Sequence, residues 1–365
     1  IHLPVEKQED VQKLYQEIQN RLSDLCTVSA GAVSYQELLV KDSGLVYQYA
    51  EDALDKAKKS GKNTLLFFSA DDFNKKLSEL ELLEEIKQSV KNGCEGFSVF
   101  YQPQVEAKSY KLFGAEALLR YNSSKRGRVF PNDFIPLLEE TGLICPVGLW
   151  VIETALNDCK KWREKNPEFH VSVNISYVQL KQKDIAEKVL EILDKSGLPG
   201  EVLTLEVTES MQLQDFTYFN KIFYKWKKAG IEISVDDFGT GYSSLSYLKS
   251  LKIDEIKIDR CFVSGIQFSA YNYRLLSNML ELARSSQIRV CCEGVELEEE
   301  MKVLEDLKTN LMQGYLFSKP CDKNQFQQLY IEKSVPEYCQ RIHPTEVDDI
   351  HERLHEVLSN TEYLE

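Results

Sequence analysis

The stretch that decides the fold occupies residues 231–245 and reads IEISVDDFGTGYSSL. Isoleucine and valine alternate with polar residues over its first five positions, which is typical of a β-strand with one buried face. The strand ends in two adjacent carboxylates, Asp236 and Asp237, and a loop with two glycines follows. Two carboxylates close together at low dielectric repel one another unless a cation lies between them. Such a pair alone is also typical of a solvated turn, so the other strands must decide between the two interpretations.

Further stretches have the same character, a short apolar run that carries polar or charged residues within it or near its end. Lys257 is the most telling of these residues, because a lysine inside an apolar strand is seldom buried without a partner. In chain order the strand-like stretches are 97–105, 111–121, 170–178, 202–210, 255–259, 288–296 and 311–320.

Amphipathic helical stretches lie between these strands, and in the clearest of them, from Pro146 to Trp162, apolar residues recur at helical spacing. The others are 183–195, 215–229, 271–285 and 297–307. Strands that alternate with helices predict an α/β fold whose parallel sheet closes into a barrel. The span 93–333 is close to the ~250 residues typical of a TIM-like (β/α)8 barrel.

In such a barrel the carboxyl ends of the strands form one face, and catalytic residues collect there. We expect five carboxylates and one amide to meet at this face, namely Glu116, Asn174, Glu206, Asp236, Asp237 and Glu293. Oxygen ligands of this kind suit Mg²⁺ or Mn²⁺. Zinc fits poorly, because none of the five histidines lies among these residues. An acidic ring without a metal would be electrostatically costly, so the sequence predicts a metal site.

The ordered series of motifs from 93 to 333 resembles an EAL-domain cyclic-di-GMP phosphodiesterase. The motifs are EALLR at 116–120, VNIS at 173–176, EVTES at 206–210, DDFGTGYSSL at 236–245, KIDR at 257–260, EGVE at 293–296 and QGYLFSKP at 313–320. The series covers about two thirds of the chain, and its order makes it far more specific than one triplet. The resemblance implies a two-metal enzyme that converts cyclic di-GMP to linear pGpG.

The resemblance also implies a role for each matching residue. The ligands of the first metal are Glu116, Asn174, Glu206 and Asp236. Asp236 would bridge to a second metal that Asp237 also binds, with Glu293 contributing nearby. Two cations ~3.5–4 Å apart can activate a bridging water and neutralise charge on phosphate oxygens. None of these ligands is missing, which favours an active enzyme over a degenerate receptor.

The remaining matches are to residues around the metals. Lys257 would hold the attacking water and assist its deprotonation, and an ammonium beside two metals is expected to have a lowered pKa. Gln313 would contact a water or a guanine, and Arg120 a phosphate, for which a guanidinium fork is apt. Glu209 would pin the glycine-containing loop, and Glu296 would be a partner of the lysine.

Several of these residues have a simpler alternative. Glu209 and Glu296 could be carboxylates that accept hydrogen bonds from backbone amides at the start of a helix. Arg120 could be an arginine at the surface end of a strand. As a whole, the barrel could be a receptor that binds cyclic di-GMP without turnover and signals through the helix at 71–92. The stretch 351–355 formally matches the zinc pattern H-E-x-x-H, but we interpret it as a surface helix.

The first 75 residues have another pattern, with helices at 11–22 and 45–63 and strands at 26–35 and 63–69. TVSAG at 27–31 and AEDALDKAKKSGKN at 50–63 resemble the C-terminal half of a GGDEF, or diguanylate cyclase-like, domain. The GGDEF signature is absent, so we expect the chain to be a piece of a longer protein and claim no cyclase activity. Lys58 and Lys62 match residues that contact nucleotide phosphates, although they also suit a solvated helix end.

Four segments are therefore predicted along the chain. They are a partial GGDEF-like domain at 1–75, a helical linker at 76–92, the EAL barrel at 93–333 and a helical tail at 334–365. By resemblance, the barrel is expected to form a homodimer, and the first domain, if complete, to bind GTP as an activator.

Composition fits a soluble cytoplasmic protein, although a membrane anchor upstream of residue 1 stays open. No apolar run approaches the ~20 residues of a membrane helix. The nine cysteines include the adjacent pair Cys291 and Cys292 in an apolar strand, which indicates reduced core thiols rather than a disulfide framework. The net charge of −14 argues against a nucleic-acid polymer as partner.

Overall fold

The computed structural model describes residues 8–23, 25–34, 43–68, 70–208, 216–240 and 252–332. The chain divides into two compact units, Ile1–Ile86 and Lys87–Glu365. Among the described residues no helix has both the length and the apolar character needed to cross a membrane.

The first unit is a small α/β arrangement. Its strands β1 (Ala30–Ala32) and β2 (Leu65–Phe67) pair in parallel. Its helices are Gln8–Leu22 and Ser43–Lys59, and a further helix, Ala70–Lys91, runs across the division between the units. Gly31 allows β1 to approach the second helix closely, since a Cβ there would lie 2.2 Å from the Ala50 carbonyl oxygen. The resemblance of this unit to half of a cyclase-like domain stays a prediction.

The second unit contains one sheet in which eight of the described strands close into a barrel. Around the barrel the order is β3, β11, β10, β9, β8, β7, β6, β4 and back to β3, with β5 and β12 as extra edge strands. The strands are β3 (Phe97–Glu106), β4 (Leu112–Ser123), β5 (Gly127–Val129), β6 (His170–Asn174), β7 (Leu203–Thr208), β8 (Glu232–Phe238), β9 (Glu255–Ile258), β10 (Arg289–Cys292), β11 (Leu311–Met312) and β12 (Cys321–Asp322).

The barrel corrects the expectation of a wholly parallel sheet. Strands β4 and β6 to β11 run parallel to one another, but β3 is antiparallel to both β4 and β11. The reason is the connection between β3 and β4, the stretch 107–111, which is a short turn. A parallel connection needs a crossover of a dozen or more residues, so these two strands can only form a hairpin.

Helices follow most of the parallel strands, as the amphipathic pattern predicts. They are Pro131–Glu140, Ile144–Arg163, Tyr177–Leu180, Ile185–Ser196, Phe216–Lys228, Arg260–Val263, Ala270–Ser285, Glu298–Asp306 and Lys323–Phe326. Ile144–Arg163 shows the pattern best: Val147, Val151 and Ala155 are buried along one stripe, while lysines and an arginine complement the helix dipole in its last turn.

The amino-terminal end of the barrel is closed by a charged network. Arg289 in β10 donates to Glu232 at 2.5 Å and to Glu255 at 2.6 Å, and Ser234 donates to the other oxygen of Glu255 at 3.1 Å. Since these groups form hydrogen bonds with one another at the amino-terminal end of the barrel, the polar side chains at the carboxyl-terminal end are the ones open to a ligand. Cys291 and Cys292 lie buried in the same wall as free thiols, as predicted.

Candidate active site

The side chain of Lys257 is the centre of the candidate site. It projects from β9 into the barrel and is wholly buried. Its Nζ lies near four carboxylates, at 2.6 Å from Glu293 Oε1, 2.9 Å from Glu206 Oε2, 3.1 Å from Glu116 Oε2 and 3.7 Å from Asp236 Oδ1. These four carboxylates come from four different strands or the loops that follow them, so the closed sheet is what brings them together.

Strand register explains the convergence. Asn174 at the end of β6 is opposite Glu206 in β7, and Glu206 is opposite Ser234 in β8. Glu293 follows β10 directly, and Gln313 follows β11 directly. Because all of these strands run parallel, their carboxyl ends meet at the same rim.

Two side-chain amides orient Glu116. Asn174 Nδ2 donates to Glu116 Oε1 at 2.7 Å, and Gln313 Nε2 donates to Glu116 Oε2 at 2.6 Å. The same Gln313 nitrogen lies 3.2 Å from Gln102 Oε1, which belongs to β3. Each oxygen of Glu116 therefore accepts from one of two amides, and Gln102 of β3 contacts one of those amides in turn.

Asp236 and Asp237 reach the same rim because β8 is irregular there. The pairing with β9 shifts between Val235 and Phe238, and Asp237 has a left-handed φ of 55°. In a regular strand the two carboxylates would point to opposite faces. Here oxygens of Asp236, Asp237 and Glu293 lie within 4.8 Å of one another. The sequence-based expectation that the backbone leaves the sheet at this pair is consistent with this bulge.

Burial and mutual repulsion perturb the carboxylates. Burial, together with the charge of Glu116, raises the pKa of Glu206 well above its usual range. Burial also raises the pKa of Asp236, and it raises that of Glu293 to about 8. At Glu116 burial acts in the same direction, but the charge of Lys257 and three hydrogen bonds outweigh it and leave the pKa lowered.

The pKa of Lys257 is raised in the protein alone, whereas a lowered pKa was expected beside two metals. Burial would lower the pKa of this ammonium, yet the four surrounding carboxylates outweigh burial and hold it well above the usual value. The expectation assumed that bound cations would dominate the field at the lysine. In the protein alone, the carboxylates dominate it.

The donor set fits hard divalent cations. It offers carboxylate and amide oxygens, the ligands that Mg²⁺ and Mn²⁺ prefer. Glu206 Oε1 is buried and has no hydrogen-bond partner among the described residues, as expected of an oxygen placed to bind a cation. The three-carboxylate group of Asp236, Asp237 and Glu293 is a second place where a cation could bind.

A pocket of about 240 Å³ opens over these residues. Glu116, Asp236, Glu293 and Gln313 line its floor, and Leu118, Arg260 and Tyr315 are among the residues of its walls. Sequence reasoning missed Arg260 and Tyr315 as pocket residues. Their places within the motifs KIDR and QGYLFSKP are the signal that could have found them.

Arg260 is held by the loop after β10. Its Nη1 lies 3.1 Å from Glu296 Oε1. Glu296 thus pairs with Arg260 and is not among the described carboxylates within 4.0 Å of Lys257, and its expected role as an indirect partner of the lysine stays a prediction. Glu296 follows β10 by four residues, which carries its side chain out to the mouth of the pocket.

The buried carboxylate of Glu300 fastens the two loops that carry these groups. Its Oε2 accepts from the amides of Glu296 and Leu297 at 2.9 and 3.1 Å, and its Oε1 accepts from the amide of Gly265 at 3.0 Å. Gly265 follows the short helix Arg260–Val263, so one side chain joins the segment that begins with Arg260 to the loop of Glu296.

The other predicted residues lie farther out or outside the described structure. Arg120 projects from the same face of β4 as Glu116, donates to the Leu119 carbonyl at 2.9 Å and lies over the ring of Phe100. Glu209 and the H-E-x-x-H stretch at 351–355 lie outside the described residues. Lys58 lies 3.7 Å from Asp55 on an exposed helix face.

Comparison with known proteins places these features in context. A family model described as "EAL domain" matches residues 83–320. The bifunctional diguanylate cyclase/cyclic di-GMP phosphodiesterase MucR of Pseudomonas aeruginosa is 34% identical over 277 residues, which are 76% of this chain and 40% of that protein. The cyclic di-GMP phosphodiesterase PdeR of Escherichia coli is 32% identical over 289 residues, 79% of this chain and 43% of that protein.

A solved structure described as "PaMucR Phosphodiesterase, c-di-GMP complex" aligns with a TM-score of 0.63 at 34% identity, covering 67% of this chain and 99% of that one. The chain spans well under half the length of the two curated relatives above.

Proposed function

The chain belongs to the EAL domain family, and from this we propose that it is a metal-dependent phosphodiesterase that hydrolyses cyclic di-GMP to linear pGpG. The observation that carries the proposal is the complete group around Lys257, four carboxylates within 4.0 Å of one buried ammonium, with Asn174 and Gln313 bound to Glu116. A barrel that served only to hold a ligand would not need so many ionisable groups in one buried place.

We assign the cations, Mg²⁺ or Mn²⁺, to two groups of oxygen donors. The first is Glu116, Asn174, Glu206 and Asp236, and the second is Asp236, Asp237 and Glu293. Bound cations would supply an activated water and neutralise charge on the phosphate oxygens. The raised pKa values of Glu206, Asp236 and Glu293 support this assignment, because burial and the neighbouring carboxylates disfavour their charged forms, which a bound cation would favour.

The side chains of the protein then position the reactants. The attack of a water oxygen on phosphorus breaks one P–O3′ bond, and the two protons of the water end on the released hydroxyl and the new phosphate. Lys257, whose pKa is raised, is a charged donor, so we assign to it the holding and orientation of that water. Gln313 keeps Glu116 in orientation, and Arg120 and Arg260 offer guanidinium groups to the phosphates.

Further parts of the proposal rest on resemblance. We propose that the first unit is a partial GGDEF-like domain, that the domain bounds are those predicted from the sequence, and that the barrel forms homodimers. GTP binding by the first unit belongs to the same group of proposals. The exposed positions of Lys58 and Lys62 are compatible with a phosphate contact there.

The test is incubation of the chain with cyclic di-GMP and Mg²⁺ or Mn²⁺, with the products separated by chromatography. Metal-dependent formation of pGpG that is lost in Glu116→Ala supports the enzyme and the first cation assignment. Glu299→Ala is the matched control, because Glu299 is an exposed carboxylate outside the pocket. If the nucleotide binds but neither metal gives product, the receptor interpretation replaces this one.

A further inference from the structure

One face of β4 continues the pocket outward. Side chains alternate along a strand, so Glu116, Leu118 and Arg120 share a face. Glu116 and Leu118 line the pocket, and Arg120 is the next residue on that face toward the rim. Beyond it, Asn122 pairs with Arg128 of β5, so Arg128 belongs to the same face of the hairpin.

The outer end of this face carries two ring–guanidinium pairs. The guanidinium of Arg128 lies 5.9 Å from the centre of the Phe130 ring, and that of Arg120 lies 5.6 Å from the centre of the Phe100 ring. In the described part of the chain, no carboxylate is recorded as an ion-pair partner of either arginine. Burial and the positive charge of Arg128 lower the pKa of Arg120 and outweigh the charge of Glu116, so hydrogen-bond acceptors of a ligand beside the two guanidinium groups would be favourable.

Phe130 is in a place where folding alone favours another residue. It occupies the N-cap position of helix Pro131–Glu140, and its side chain makes no capping hydrogen bond. Serine, threonine, aspartate or asparagine would satisfy an amide donor there. Instead the position holds a phenylalanine that is 64% exposed to solvent and directly follows β5 of the same hairpin. Local rules are most often broken at functional sites.

The volume of the pocket indicates what this outer face could bind. Sites that enclose a drug-sized ligand occupy roughly 300–1,000 Å³. The pocket here is about 240 Å³, so part of a cyclic dinucleotide would lie outside it. From Leu118 to Asn122 is four strand residues, or about 13 Å, which is within the span of a molecule with two nucleosides.

We propose that Phe130 and Arg128 form an outer subsite for the guanine base that the pocket does not enclose. The base stacks on the Phe130 ring, and the Arg128 guanidinium donates to the O6 and N7 acceptors of guanine. The inference rests on the proposed function, because it takes cyclic di-GMP as the ligand. It adds residues to the ligand contacts that the EAL motifs imply.

The experiment compares Phe130→Ser and Arg128→Gln with the wild-type chain in steady-state hydrolysis of cyclic di-GMP. Loss of one stacked base or one guanidinium fork is expected to raise KM about tenfold. Phe130→Ser supplies the missing N-cap, so its melting temperature should stay level or rise while KM rises, which separates the subsite from a folding defect. Arg126→Gln, which removes an equal charge from the same hairpin, is the control and should leave KM near the wild-type value.

Two results would overturn the subsite: an unchanged KM in Phe130→Ser, or an equal rise of KM in Arg126→Gln and Arg128→Gln. If the wild-type chain hydrolyses nothing, the proposed function fails and calorimetric titration with cyclic di-GMP takes over as the test. A tenfold higher dissociation constant in Phe130→Ser than in wild type would then support the subsite even though the chain is not an enzyme. Wild-type affinity in that variant, or no binding by any of the proteins, would overturn it.

Discussion

The side chain of Arg260 lies across Gly294: a Cβ built on this glycine would be 2.4 Å from Arg260 Cγ. Gly294 also has a φ of 70°, in the left-handed region. This glycine therefore does two things at once, since it turns the chain after β10 and leaves room for the guanidinium arm that reaches the pocket. The absence of a side chain at 294 is part of how Arg260 is positioned.

Gly294→Ala should lower both stability and activity. The left-handed conformation costs an alanine roughly 1–2 kcal/mol, and the new methyl group must displace Arg260 from the pocket wall. Gly142→Ala is the matched control, because Gly142 has a φ of 74° but a Cβ added there would have no neighbouring atom within 4 Å. We expect similar losses of unfolding free energy in both variants by urea denaturation, and a fall in kcat/KM in Gly294→Ala alone. Equal kinetics in the two variants would contradict the role given to Arg260.

Glu300→Gln should loosen the two loops that Glu300 joins. The substitution replaces one accepting oxygen with an amide donor, so at least one of three backbone amides loses its partner. The expected loss is about 1–3 kcal/mol of unfolding free energy, together with reduced kcat/KM. Glu299→Gln, at the exposed neighbouring position, should stay within about 0.5 kcal/mol of wild type. An indistinguishable pair of melting curves would show that the loops do not depend on this carboxylate.

Lys257→Met should abolish hydrolysis and destabilise the metal-free protein. Removing one partner of a buried ion group leaves the others uncompensated, at a cost of about 3–5 kcal/mol. Added Mg²⁺ should recover more stability in this variant than in wild type, because the carboxylates then depend on the cation alone. Thermal unfolding with EDTA and with Mg²⁺ measures both effects. Equal gains from Mg²⁺ in the two proteins would contradict this account of the charge balance.

The lowered pKa of His170 should reduce the free energy of unfolding in mild acid. Burial lowers the pKa of this side chain, which stacks on Phe113 at the start of β6, below its usual value of 6.5. The unfolded chain therefore takes up a proton near pH 6.5 that the folded chain resists, so unfolding becomes easier as the pH drops below 6.5 toward the folded pKa. His170→Phe should remove this part of the pH dependence in urea titrations at pH 7.5 and about 5. Parallel pH profiles of both proteins would show that the imidazole does not contribute.

Much of the candidate site could be predicted from the sequence because its residues are chemically out of place. A lysine in an apolar strand and two adjacent aspartates at a strand end need partners, and parallel strand ends supply them. The closed barrel followed from the alternation of strands and helices. These features are encoded locally, one strand at a time.

Other features depend on contacts that no local pattern specifies. The direction of β3 follows from the short turn at 107–111, whereas the alternation of apolar residues is the same in either direction. The pairing of Glu296 with Arg260 depends on how the loops after β9 and β10 meet. The raised pKa of Lys257 follows from the sum of four charges, which the sequence brings near one another only through the closed sheet.

The reversed first strand also decides where the polypeptide joins the barrel. Phe97, where β3 begins, pairs with Tyr121 near the carboxyl end of β4, and the Gly96 carbonyl accepts from the Asn122 amide at 2.9 Å. In a wholly parallel barrel the chain would arrive at the sealed floor beside Arg289. Here it arrives at the rim, where only β4 separates β3 from Arg128 in β5. The polypeptide therefore enters the barrel at the end that carries the candidate site, and the charged network of Arg289 lies at the opposite end of the strands.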